Sequence, residues 1–190
     1  MKKRDFTTVL IALLILTAGC IGPKGFNPDQ KREFVLNMKN DALSQLYREK
    51  PHTQKLIENA SGYGVFTNIN AQILFVSGGG GYGTITDNQN GTQTYMKMAE
   101  GGLALGIGIK DFREIIIFNS PAVLYKFINF GWDLTLSGDA AAKSGSKGGA
   151  IGVETDFQSD VVIYQITKNG IALSTSLAGS KYWKDKELNY

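Results

Sequence analysis

The chain has 190 residues, 43% of them apolar and 19% charged, with 23 glycines and one cysteine. That make-up belongs to a folded domain and excludes a disordered or collagen-like chain. A formal charge of +3 is too small for a general nucleic-acid binder, and one cysteine excludes an internal disulfide and a cysteine-rich metal site.

Lys2, Lys3 and Arg4 precede the apolar run VLIALLIL (Val9 to Leu16), which is too short to cross a bilayer as a helix and is followed by the small residues TAGC. This order reads as a secretory signal. The junction LTAGC resembles the lipobox of bacterial lipoproteins, in which the cysteine is acylated and becomes the mature N-terminus. The resemblance implies a signal peptide over 1–19 and lipid attachment, palmitate included, at Cys20; a plain signal and a soluble exported protein is the alternative. Loss of Lys2, Lys3, Arg4 and Asp5 with the signal would lower the charge from +3 to +1. Ile21 stands where an aspartate would retain a lipoprotein in the inner membrane. By that resemblance the location is the bacterial cell envelope, lipid-anchored at the outer membrane and facing the periplasm.

IGPKGFNPD carries two prolines and two glycines and reads as a tether over 20–27, leaving 28–190 as the domain. Asn27 suits an N-cap and Pro28 the first helical position, with Val35, Met38, Ala42, Leu43 and Leu46 at helical spacing, so a helix is expected to about Glu49. A second short helix is expected from Pro51 to about Ala60. The amphipathic stripe would ordinarily pack on its own domain, although a helix near a lipid anchor can also lie on a membrane.

From Tyr63 the period becomes alternating. GVFTNI, QILFVSG, GYGTITD, TYMKMAE, LALGIGI and REIIIFN read as successive strands, with Asn90-Gly91 as a hairpin turn. Gly78, Gly80 and Gly83 satisfy G-x-G-x-x-G, but TITDNQNGT follows and contains no helix start, so no helix dipole or ring of amides is there to hold a nucleotide. Glycines inside strands mark bends or close backbone approach instead. In LALGIGI the bulky Leu103, Leu105, Ile107 and Ile109 alternate with Ala104, Gly106 and Gly108, giving a smooth face that packs closed or leaves an apolar groove. DNQNGTQ has the faint spacing of a calcium loop without its closing glutamate. SPAVLYKFINFG reads as a helix capped by Ser120 and ended by Gly131, and WDLTLSG, GAIGVETDF, DVVIYQIT and GIALSTSL as further strands, with Lys168-Asn169-Gly170 as a turn.

No catalytic, cofactor or metal constellation is legible. GDAAAKSGSKGG has Ala142 where a phosphate loop needs glycine before the lysine. His52 is the only histidine, which excludes paired-histidine metal sites, and Glu154 and Asp156 share one strand face as solvated acids do. Candidate lipid contacts are Lys143 and Lys147 in that small-residue loop, and Lys181, Lys184 and Lys186 around Trp183, where an aromatic ring could sit at headgroup level.

GYGVFTNI, GGGGYGTI, EGGLALGIGIKDFREIIIFNSPAVLYKF, FGWDLTLSGDAAA and KNGIALSTSLAGS, in this order, resemble the SYLF family, also called the Ysc84 domain. Where the family usually has a Gly-Pro, this chain reads SGSKGG. The resemblance implies an α+β fold, with N-terminal helices packed on a largely antiparallel, glycine-rich sheet or partly closed barrel and one further helix near 120–130. It also implies a non-enzymatic domain that binds membrane lipid. Phosphoinositide and actin-related roles of eukaryotic members do not carry over to an exported bacterial protein. The expected partners are anionic membrane lipids or another amphiphile, or else an envelope protein using the same surfaces, with no nucleic acid, nucleotide or cofactor.

Overall fold

The computed structural model describes residues 22–131, 160–167, 170–174 and 180–190, with the backbone alone for 70–77, 102–110 and 172–174. The fold is α+β. Its described elements are helices α1 (Pro28–Glu49), α2 (Thr53–Asn59) and α3 (Pro121–Phe130), and strands β1 (Gly62–Asp87), β2 (Gln93–Phe118), β3 (Val161–Thr167), β4 (Gly170–Ser174) and β5 (Ser180–Lys184). All strand pairings are antiparallel.

Helix α1 starts where the sequence places it, because Asn27 Oδ1 accepts from the Gln30 amide at 2.9 Å while Gln30 Oε1 accepts from the Phe26 amide at 2.8 Å. This reciprocal pair satisfies donors that the first helical turn leaves unpaired. The expected stripe, Val35, Met38, Ala42, Leu43 and Leu46, is buried. Helix α3 follows Ser120 and Pro121 as expected, although the Ser120 side chain makes no capping bond. It ends at Gly131, whose φ of +67° favours a residue without a Cβ.

The sheet departs from the expected series of short strands. β1 and β2 are each continuous over 26 residues and form one long hairpin from Gly62↔Phe118 to Thr86↔Gln93. The glycines do not end strands here; they let the hairpin double back. A Cβ on Gly81 would lie 1.9 Å from the Thr67 carbonyl oxygen, and one on Gly83 would lie 2.2 Å from that of Val65. The beginning and end of β1 are thus in backbone contact, an approach open only to glycine. A register shift between Leu74 and Val76 lies between the two parts and supplies the local bend. β3 adds to residues 113–118 of β2, and β5 adds to residues 96–100 of the same strand.

Two apolar cores follow from this doubling. Val65, Ile115, Ile117, Tyr164 and Ile166 point toward the stripe of α1 and toward Ile57 of α2. Their neighbours Phe66, Ile116, Phe118 and Ile163 point the other way and meet Ile85, Met96 and Met98 from the doubled-back part, with Tyr182 of β5 and Leu124 and Phe127 of α3. The unbroken apolar run of REIIIFN is explained by this: a strand covered on both faces needs no polar alternation. Each fully buried large side chain contributes roughly 1.5–3 kcal/mol. Phe66, Phe118, Phe127 and Tyr182 form a contiguous aromatic group with ring centroids 4.9–6.4 Å apart.

Candidate functional site

β5 presents alternate residues to opposite sides. Ser180 and Tyr182 are buried, whereas Lys181 and Trp183 face outward, Trp183 with 39% of its surface exposed. The end of α3 is pressed against this strand, since a Cβ on Gly131 would lie 1.9 Å from the Tyr182 carbonyl oxygen. Lys184 Nζ also donates to Asn129 Oδ1 at 3.2 Å. Phe130, 83% exposed, is therefore brought beside the outer edge of β5. Lys186 is exposed in the turn that follows. Trp183, Lys181 and Lys184 of β5 and Lys186 in the turn after it, all expected from the sequence, are exposed along a strand against which α3 ends. Phe130 is not expected; its signal is a position just before the helix-ending glycine and off the buried stripe. Cys20, Lys143 and Lys147 lie outside the described residues.

A second group is interior. Glu114, 3% exposed, accepts from the Tyr182 hydroxyl at 2.5 Å and from Gln165 Nε2 at 3.3 Å. Burial pushes its carboxyl upward, the two hydrogen bonds oppose this, and Glu100 adds to the rise. Burial, then the charge of Glu114, holds the Tyr182 phenol well above its usual range. Asn68 Nδ2 donates to Glu100, while Asn68 Oδ1 is buried without a hydrogen-bond partner. These residues come from both ends of β2 and from β1, β3 and β5. Their separations along the chain hide the group from any motif reading.

Other sequence candidates resolve differently. The Gly78 to Gly83 stretch is strand, and no helix follows it. In DNQNGTQ, Asp87 Oδ1 accepts from the Gln89 amide at 2.9 Å and Oδ2 from Tyr125 Oη at 3.0 Å and Asn90 Nδ2 at 3.2 Å, so its carboxylate organises the turn. Lys39 on α1 is 9% exposed and donates to Gln93 Oε1 at 3.3 Å. Its burial lowers the amine below its ordinary value. Among the described residues no three His, Cys, Asp or Glu side chains converge on a common point, and no helix is long and apolar enough to cross a membrane.

No family model matches the chain. Beta cell expansion factor A of Aeromonas veronii is 32% identical to it over 166 residues, covering 85% of this chain and 61% of that protein. The chain thus spans about three fifths of the length of the curated relative that it resembles.

Proposed function

We propose that this chain is a non-enzymatic, lipid-anchored protein of the bacterial envelope whose SYLF-like domain contacts membrane phospholipid. The α+β architecture and the similarity to Beta cell expansion factor A are compatible with that family. The observation that carries the lipid reading is that β5 and the turn after it expose Trp183 and Lys181, Lys184 and Lys186, with the exposed Phe130 at the end of α3 against the same strand. Aromatic rings favour the headgroup level of a bilayer, and each lysine near an anionic surface contributes about 1 kcal/mol. Acylation at Cys20 would supply one membrane signal and this surface a second, the combination that gives stable anchoring.

The test is cosedimentation of the chain from Asn27 onward with phosphatidylcholine vesicles, with and without phosphatidylglycerol. Binding should favour the anionic vesicles and weaken with salt. Charge reversal at Lys181, Lys184 and Lys186 should lower the affinity at least about tenfold, and Phe130→Ala with Trp183→Ala should lower binding to both compositions. Equal binding to neutral and anionic vesicles, insensitive to salt and to these changes, would remove this surface as the lipid contact and leave an envelope protein as its partner.

A further inference from the structure

Where α1 crosses the strands beside the hairpin turn, three hydrogen-bond donors meet at one oxygen. Gln93 Oε1 lies 3.3 Å from Lys39 Nζ, 3.3 Å from Thr84 Oγ1 and 3.0 Å from Thr86 Oγ1. Thr84 Oγ1 is also 3.3 Å from the Thr94 carbonyl oxygen and divides its proton between the two acceptors. An amide oxygen has two lone pairs, so it is a poor match for an ammonium and two hydroxyls together. The donors are enclosed, with Lys39, Thr84 and Thr86 only 9%, 0% and 8% exposed. Among the described residues Lys39 joins no ion pair, although a buried ammonium is ordinarily matched by an opposite charge. Gln93 differs from the donors. It begins β2 directly after the exposed turn 88–92 and is itself only partly buried, so its side chain can turn out into water.

We propose that Lys39, Thr84 and Thr86 form a binding site for the carboxylate of a small organic acid, a site that Gln93 closes with its own carboxamide. A carboxylate is planar and of the same size as a carboxamide, so one of its oxygens takes the place of Oε1 when Gln93 turns out. It brings about four acceptor positions to the three donors, and a bond from an ammonium to a charged oxygen is about twice as strong as one between neutral groups. The cluster is fitted around a planar group, which favours a carboxylate over a tetrahedral phosphate. Gln93 is a resident competitor that the ligand has to displace. The inference stands independently of the lipid reading.

The experiment uses the whole chain, with acetate as the probe and chloride at equal ionic strength as the control. Gln93→Ala removes the competitor. Acetate at about 0.1 M should raise its thermal midpoint above that in chloride, and acetate affinity should exceed that of the wild type at least about tenfold. Adding Lys39→Met to Gln93→Ala should abolish the acetate response, which separates binding at this site from a general effect of the salt. Gln93→Glu supplies the carboxylate from within the chain, so it should melt above the wild type and no longer respond to acetate. Three results each overturn the proposal: a Gln93→Ala midpoint equal in acetate and chloride, an acetate response that survives Lys39→Met, or a Gln93→Glu protein that melts no higher than the wild type. The last decides alone if Gln93→Ala fails to fold by circular dichroism. A Lys39-dependent shift larger with phosphate than with acetate overturns the carboxylate assignment.

Discussion

Lys39 is the least expected residue of the helix interface, since a buried amine is stable only where its charge is compensated. Among the described residues its acceptor is Gln93, which also takes the hydroxyls of Thr84 and Thr86 at 3.3 and 3.0 Å. Lys39→Met keeps the length of the side chain and removes the charge, and the threonines still satisfy Gln93. We expect this variant to be more stable at neutral pH by about 1 kcal/mol. The pH dependence has a definite sign. Because the folded-state value is lowered from 10.5, the folded chain binds fewer protons than the unfolded one between the lowered value and 10.5. Stability therefore rises with pH across that interval and is flat, for this group, on either side. Urea melts from pH 7 to 10.5 should show the gap between wild type and Lys39→Met closing as pH rises; a constant gap would mean that packing, not charge, sets the difference.

At the scale of elements, the doubling of β1 depends on glycine at particular positions rather than on glycine content. Valine at Gly81 would drive its Cβ into the Thr67 carbonyl, a backbone atom with no rotamer to yield, and should cost roughly 1–3 kcal/mol. At Gly78 a Cβ would meet nothing within 4 Å, so Gly78→Val should stay within about 0.5 kcal/mol of wild type. Equal losses in the two, measured by thermal or denaturant melts, would refute the close-approach account. This contrast also explains what was legible in the sequence. Asn27-Pro28, Ser120-Pro121, Gly131 and Asn90-Gly91 mark boundaries through local stereochemistry, so the helices and the hairpin turn were readable. GVFTNI, QILFVSG and GYGTITD look like separate strands in the sequence because a glycine run ordinarily punctuates, whereas here it permits a bend sustained by contacts some 14 residues apart along β1, Thr67 to Gly81. At the candidate surface, Trp183 and its lysines are neighbours in sequence and so legible there, but Phe130 comes beside their strand only through the packing of α3 on β5. Glu100, Glu114 and Asn68 carry no spacing signal at all.

Over the whole molecule, the N-terminal helix is secured by the C-terminal end of the described chain. Lys31 Nζ pairs with Glu187 at 2.6 Å, and Arg32 Nε donates to the Leu188 carbonyl at 2.8 Å. Leu188 is buried with the helix stripe, Asn189 exchanges hydrogen bonds with the Tyr95 backbone, and buried Asp185 pairs with Lys97 at 3.2 Å. Removing residues 185–190 should therefore cost about 3 kcal/mol or more, from the lost Leu188 burial and the unpaired Tyr95 backbone. Circular dichroism melts of the shortened chain would check this, and an unchanged midpoint would show that segment to be an accessory.

The contacts of Lys31 and Arg32 with residues 187 and 188 span 156 positions, and this bears on the order in which the protein is made. A chain emerging from its N-terminus presents α1 long before its fastening exists, and the sheet beneath that helix awaits β5 as well. Loop-closing contacts of such length slow folding because their entropy must be lost before they return any stabilisation. During synthesis the apolar stripe of α1 is thus without its final cover for most of the chain's length. Until β5 and the segment after it have been made, that apolar stripe stays open to other apolar surfaces, the chain's own included.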